Sequence, residues 1–504
     1  MVASQGEKTS RTPQGSDVQD YDVIVIGAGY GGATAGALLA KAGRKVLLVD
    51  KTNQAGGKAQ TIRRNGFAYE MWPVLSLPAD GSRFHELVAE LGIEGEAPLI
   101  VPEGDNAIEL KYRGADGEWR SYIGPSKQAE DPLAIDNLES VFGVDPEGVE
   151  KMMAMMGEIF AMSEEDLDAH DETGMLPWMR SFGVPDAVIA YMGAILNLVF
   201  VAPIDRIPVS EGVRTMRQLF LGGGGRYHLG GYGTVAEEAA AYVERNGGTF
   251  LTGARVESIV VEDGRAVGIR TADREYRAPV VISNAGIQPT VLKLVPEDTF
   301  EEEYTKRVES LEPGLGMVGV RYFLDEPVLE TGMIVAFSDD SWWDTERYEA
   351  VQLGNWPDVP LVFAAVTTAY DPSLAPEGNQ VVLVGILGSP DPRAELNNEA
   401  IHRAEKTIAE IWPEIPEHTI RREPYTAAHV SNMTRDAVVP GQGGECIGLS
   451  QVIGQCGLSK PDARTPLEGL YLVGTDAGGQ GCGTHQAVDS GFNVAAMVLE
   501  DLKA

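Results

Sequence analysis

Cysteine is scarce in this chain: Cys446, Cys456 and Cys482 are the only three among 504 residues. So small and odd a set excludes a disulfide framework and fits a reducing, cytoplasmic setting. No apolar run reaches the roughly 18 residues that a membrane-crossing helix needs, so no integral membrane span is expected. Positive charge is also in short supply. Lys and Arg number 40 against 75 Asp and Glu, for a net charge of −35. That balance disfavours nucleic acid and anionic membrane surfaces, both of which select a basic face, and it reads as a well-solvated acidic exterior. The opening stretch, MVASQGEKTSRTPQGSDVQD, has no apolar segment, and residues 1–20 are read as a disordered leader and not a signal peptide.

Hydrophobic residues make up 43% of the chain, which is too long for one core, so at least two domains are expected. One stretch has a specific job. In VIVIGAGYGGATAGALLAKAGRKVLLVDKT, Val23 to Ile26 are β-formers in a row, long enough for a buried parallel strand. Gly27, Gly29 and Gly32 follow in the G-x-G-x-x-G spacing. The first permits a tight turn, the second lets the backbone approach a pyrophosphate, and the third lets the next helix pack close to the strand. That helix, from about Gly31 to Ala42, aims free N–H groups at the phosphates. A second strand, Lys45 to Val49, ends on Asp50, where an acid accepts hydrogen bonds from ribose hydroxyls. An acid there disfavours a 2′-phosphate, so the ligand is NAD-like or FAD.

The next residues choose between them. Asp50, Lys51, a polar spacer and then Gly56-Gly57-Lys58 resemble the acid–spacer–GGR signature of the FAD-dependent amine oxidase and phytoene desaturase superfamily, with Lys58 where arginine is usual. The likeness continues through Gly66-Phe67 and Pro73, with Trp72 where a glycine is usual. It reappears in YHLGGYGTVAEEAAAYVERNGGTFLTGARVESIVVEDGRAVGIRTADREYRAPVVISNAG, Tyr227 to Gly286, where Thr234 is expected to cap a helix and two strands to form a hairpin around Glu262 to Arg265. It ends in TPLEGLYLVGTDAGGQGCGTHQAVDSGFNVAAMVLEDL, a strand followed by Gly474, Asp476 and a helix from about Thr484.

The resemblance implies an α/β fold: a Rossmann-like, discontinuous FAD-binding domain of the GR2 type with an α+β substrate domain. The expected FAD domain comprises 21–75, 227–290 and 441–504; insertions 76–226 and 291–440 make the substrate domain. FAD is the implied cofactor. Gly27, Ala28, Gly29, Gly31, Gly32, Asp50, Lys51, Gly56, Gly57, Lys58, Val256, Gly474, Asp476 and Thr484 are its expected contacts, with the Val256 backbone on the adenine and Asp476 on the ribityl chain. The Met-rich run MMAMMGEIFAMSEED is expected to be core packing, in the insertion through which the family admits substrate. LFLGGGGRYHLGGYG reads as a crossover and not as a second nucleotide site, so the electron acceptor is expected to be oxygen, a quinone or a carrier protein.

Within the superfamily the chain leans toward desaturation. Pro313 to Val328 has no lysine where many amine oxidases carry one, and no aromatic pair precedes the last FAD motif. GGECIGLSQVIGQCGLSKPDARTPLEG instead resembles phytoene desaturases. The His-Pro-Gly element of carotenoid desaturases is replaced by GTDAGGQGCGTHQ, which argues for a smaller apolar substrate, alicyclic or terpenoid-like, in which a carbonyl would acidify the neighbouring hydrogen. His485 is the candidate base, with Cys482 and Trp72 beside it at the expected flavin edge. No metal is expected. The alternatives are a flavin amine oxidase and a non-catalytic flavoprotein that chaperones a partner.

Overall fold

The computed structural model describes residues 20–72, 82–100, 108–124, 139–222 and 227–503. Most of the expected leader, Pro73 and residues 223–226 of the glycine-rich crossover lie outside them.

Five short strands form one parallel sheet in the order Leu470–Leu472, Val280–Ser283, Val23–Ile26, Val46–Val49, Thr249–Leu251. Its members come from the two ends and the middle of the chain. Every residue of the central pair, VIVI and VLLV, is buried, because helices and a second sheet cover the two faces. Helices Tyr30–Lys41, Thr234–Arg245 and Gly483–Asp501 pack over one face with the Ala- and Val-rich core between them. Helix Arg83–Leu91 joins that same core through Phe84, Leu87, Val88 and Leu91, although it lies in the stretch expected on the substrate side. The other face is covered by a three-stranded meander, Val256–Glu262, Arg265–Thr271 and Glu275–Arg277. Its hairpin turns on Asp263 and Gly264, both at positive φ (47° and 77°), the conformation that gives a two-residue turn the twist of its strands.

The expected cap at Thr234 is corrected. Gly233 holds the N-cap position, Thr234 is the first helical residue, and its hydroxyl donates to the Leu229 carbonyl at 3.3 Å. Gly233 N–H instead reaches the Thr61 hydroxyl at 2.9 Å, which ties this helix to the strand pair Thr61–Arg64 and Phe67–Glu70.

A second, seven-stranded sheet runs Thr419–Tyr425, Gly316–Leu324, Gln380–Gly388, Val362–Ala365, Met333–Ser338, Ile108–Arg113, Trp119–Gly124. Gly316–Leu324 and Gln380–Gly388 pair antiparallel over nine residues, all buried. One face of this sheet carries helix Leu396–Ile411. The other faces the helical insertion Pro146–Ala161 to Val209–Gly222, where Met152, Met155 and Met156 fill the core, as adaptable thioethers suit.

Candidate active site

A cavity of about 320 Å³ opens where the carboxyl ends of the parallel strands meet the helical insertion. Ligands of open α/β sheets bind at that edge.

The cofactor end is built from backbone. Gly27, at φ +91°, turns the chain out of the first strand and donates its N–H to the Val49 carbonyl at 2.7 Å. Gly29 is the N-cap of helix Tyr30–Lys41 and supplies no side chain to cap it, so the first-turn N–H groups are left for a ligand. A second glycine segment zips against the first: Gly56 N–H donates to Ala28 O at 2.8 Å, and a Cβ on Gly57 would sit 3.0 Å from Gly29 Cα. A Cβ on Gly31 would meet Gly474 Cα at 2.8 Å. Gly27, Gly29, Gly31, Gly56, Gly57 and Gly474 all line the cavity.

Ala28 and Gly32 are not on the cavity wall. Ala28 N–H donates to Asp50 Oδ2 at 2.7 Å, and a Cβ on Gly32 would fall 2.0 Å from the Gly27 carbonyl. Both therefore build the turn behind the wall. Asp50 lines the cavity but is also the brace of the turn. Its Oδ1 accepts from Thr52 N and Thr52 Oγ1 at 2.7 and 2.8 Å, leaving only the remaining lone pairs for a ribose. Lys51 and Val256 stand beside it on the wall.

In the middle of the cavity lies a buried ionic group. Asp476 accepts from Ile287 N–H and Leu449 N–H, each at 3.0 Å, and from Arg435 Nη1 at 2.9 Å. Burial works to raise its pKa, but the Arg435 guanidinium and these donors hold it below the usual carboxylate value. Arg435 is 7% exposed, and its Nη2 has no partner among the described residues; Glu445 Oε2 lies 3.6 Å from its Nε. Lys58 donates to the carbonyls of Glu445 and Ile447 at 2.6 and 2.9 Å. Burial lowers its pKa to about 8 despite the Glu445 carboxylate nearby.

At the far end the last helix begins at Gly483 with Cys482 as an N-cap that makes no side-chain capping bond. Gly483, Thr484 and His485 line the cavity there, and the Thr484 hydroxyl is hydrogen-bonded to Tyr232 Oη. His485 packs against Phe84 at 5.6 Å between ring centroids, its Nδ1 is buried without a partner among the described residues, and burial lowers its pKa to about 4. The Cys482 thiol donates to the Val199 carbonyl at 2.8 Å, and burial pushes its pKa up to about 12. It is a thiol at neutral pH and no base. Trp72, 3% exposed, forms wall beside Tyr425. The rest of this end is mostly apolar: Leu198, Val199 and Val201 from the end of helix Asp186–Phe200, Leu219 from helix Val209–Gly222, and Met317 from the second sheet, with Thr215 and Gln218 of helix Val209–Gly222 as its polar members.

The sequence reading missed Asn284, Arg255, Arg435 and Asp436, which also line the cavity. Asn284 follows the strand Val280–Ser283 directly and fills the space left by Gly29, Gly31 and Gly474, so its position after a buried strand was a readable signal. Arg435 and Asp436 lie in the second insertion, outside every glycine motif.

These features fit a dinucleotide flavin. The close glycines make a cradle that a Cβ would fill, the helices that begin at Tyr30 and Gly483 have no side-chain cap, and one buried guanidinium nitrogen lacks a partner among the described residues. The comparisons agree. The human all-trans-retinol 13,14-reductase is 26% identical over 91% of this chain and 82% of that protein. A carotenoid 3,4-desaturase of Haloarcula japonica is 24% identical over 97% of this chain and 100% of its own. Among solved structures, an oxidoreductase from Methanosarcina mazei superposes with a TM-score of 0.71 at 21% identity, over 94% of this chain and 100% of that one, a likeness of fold. The model of the flavin containing amine oxidoreductases matches residues 31–499, a span that holds the helix after the first glycine turn, the second glycine segment, the other four strands of the parallel sheet and both insertions that wall the cavity, and this chain belongs to that family as an FAD-dependent oxidoreductase.

Proposed function

We propose that the protein introduces a C=C bond into an apolar, alicyclic or terpenoid-like substrate, beside an activating group such as a carbonyl. The observation that carries this reading is the apolar end of the cavity, where Trp72, Leu198, Val199, Val201, Leu219 and Met317 offer no carboxylate to an ammonium. The names of two relatives, a retinol reductase and a carotenoid desaturase, favour an isoprenoid skeleton over an amine.

FAD, when bound, would supply the two-electron acceptor for the hydride. The protein must then accept the proton from the neighbouring carbon. His485, at a pKa of about 4, is too weak a base for this at neutral pH. Lys58, at about 8, is close to the working range and lines the same cavity. Its neutral amine keeps both N–H bonds to Glu445 O and Ile447 O and presents a lone pair. We assign the proton to Lys58 Nζ and leave His485 as wall. Apolar side chains on this end exclude water from the carbon being deprotonated. Oxygen, a quinone or a carrier protein would reoxidise the cofactor.

The test is anaerobic titration of the FAD-loaded protein with cyclic ketones, terpenoids, polyenes and amines, reading the flavin absorbance. Bleaching by an apolar ketone or terpenoid, with an unsaturated product, supports the reading. Bleaching by amines alone, with an imine product, replaces it with an amine oxidase. No bleaching by any reductant of this kind favours a non-catalytic flavoprotein.

A further inference from the structure

Four consecutive residues of the second insertion, Met433 to Asp436, line the cavity, and the last two are gripped in opposite senses. Asp436 receives three cations. Lys51 Nζ lies 2.7 Å from Oδ1, Arg255 Nη1 is 2.9 Å from both oxygens, and Lys293 Nζ is 2.5 Å from Oδ2. The three come from separate places on the parallel-sheet body: Lys51 after the strand that ends in Val49, Arg255 before the meander, and Lys293 after the strand Val280–Ser283. Arg435 grips the other way, with Nη1 at 2.9 Å from Asp476, which follows the strand Leu470–Leu472. Gly286, at φ +92°, leaves room for this crossing, since a Cβ there would lie 2.6 Å from Arg435 Nη1.

This segment leaves helix Ala427–Met433, which follows the edge strand Thr419–Tyr425 of the seven-stranded sheet. It therefore reaches from the substrate-side body across to the strand ends of the other sheet. We propose that Arg435 and Asp436 form an ion-paired strap over the dinucleotide end of the cavity, and that its opening sets the rate at which FAD enters and leaves. The inference rests on the reading of this cavity as the FAD site.

The charge arrangement explains why a strap here is openable. Side-chain exposures of 21% for Asp436, 52% for Arg255 and 47% for Lys293 leave these pairs in contact with water, so salt weakens them. The Arg435–Asp476 pair, at 8% and 4%, is shielded and serves as the hinge-side anchor.

The experiment measures FAD release from the full-length holoprotein by the rise of free-FAD fluorescence after dilution, and FAD uptake by the apoprotein in stopped flow. Asp436→Asn is expected to accelerate release about tenfold and to accelerate uptake as well, because both pass through the open strap. Lys293→Gln serves as the second variant. Lys293 does not line the cavity, so a gain of a few-fold in both rates cannot come from a lost cofactor contact. NaCl at about 1 M should speed release from the wild type and leave Asp436→Asn nearly unchanged. Unchanged release in both variants overturns the strap, as does faster release with unchanged uptake, which would mark Asp436 as an affinity contact only. A wild-type protein that takes up no FAD would instead sink the site reading beneath it.

Discussion

The two ends of the cavity are made of different materials. At the cofactor end the wall is main chain: Gly27, Gly29, Gly31, Gly56 and Gly57 bring peptide groups within reach of a ligand, and Asp50 braces them through Ala28 N–H and Thr52. At the other end the wall is side chain, drawn from positions as far apart as Trp72, Val199, Leu219, Met317 and His485. A backbone cradle needs glycine at fixed spacing whatever the ligand's neighbours, so it is written locally. A side-chain wall needs only suitable volume and polarity, which many residues supply, so it leaves no fixed spacing to read. Proton handling follows the same division: the groups with displaced pKa values, Lys58, His485 and Glu70, owe their displacement to burial that the tertiary fold imposes.

The comparison breaks first at Lys58, if the base belongs to the cofactor end and not to the apolar end. Lys58→Arg keeps a cation but cannot deprotonate. Flavin reduction in the loaded variant should slow by about 10²–10⁴-fold, and the rise in rate with pH through about 8 expected of the wild type should be absent. Rapid-mixing reduction across pH 6 to 10 checks this, and a wild-type profile flat through that region would remove Lys58 from the role.

Glu70 tests whether burial shifts groups as the cofactor end requires. It is 2% exposed and accepts from Tyr227 Oη, Tyr232 N–H and Thr61 Oγ1, yet burial raises its pKa from 4.5 to about 7. Because the folded value is above the unfolded one, its contribution to stability is fully present below pH 4.5 and is lost as pH rises through about 7. That loss is on the order of 3 kcal/mol at full ionisation. Glu70→Gln should flatten this part of the stability–pH curve in denaturant titrations, with the Thr61 hydroxyl turning to accept from the new amide. An unchanged slope would mean that Glu70 titrates normally.

Asp50→Ala removes both the ribose acceptor and the brace of the glycine turn. FAD affinity should fall by roughly 1.5–3 kcal/mol, the scale of hydrogen bonds to a charged group, and thermal stability should fall in the apoprotein as well. Calorimetric FAD titration and apoprotein melting separate the two; an apoprotein of unaltered stability would show the brace to be idle.

The smallest effect is expected at the apolar end. His485→Ala should bind FAD and reduce it within about tenfold of the wild-type rate, as suits a wall residue whose imidazole is a poor base. A loss of a hundredfold would return the proton to His485. Acid precipitation should release the flavin into solution throughout this series: Cys446 and Cys482 line the cavity, but burial raises their pKa to about 11 and about 12, so both are thiols at neutral pH.

Much of the fold was legible. The strands at Val23, Val46, Thr249, Val280 and Leu470 and the hairpin at Asp263-Gly264 came from unbroken β-formers and turn residues, and the structure joins them as one parallel sheet and one meander. Thr234 misled because threonine caps helices well, yet the Thr61 hydroxyl, from a distant strand, took the N–H of Gly233 and moved the helix start. His485 shows another limit of local reading: an unperturbed imidazole suits proton transfer, but burial, which only the fold imposes, lowers the pKa of this one to about 4.

The amino-acid sequence by itself determined the nucleotide turn and the acid that ends its second strand, because those depend on φ angles, close approach and one carboxylate within some thirty residues, and the motifs beyond them carried the flavin family. Only the tertiary structure decided that Ala28 and Gly32 stand behind the cavity wall, that Lys58 rests on the carbonyls of Glu445 and Ile447, and that Asp436 meets Lys51 across 385 residues of chain. Burial and charge pairing are sums over neighbours that the chain brings together only when folded, and no local spacing encodes them.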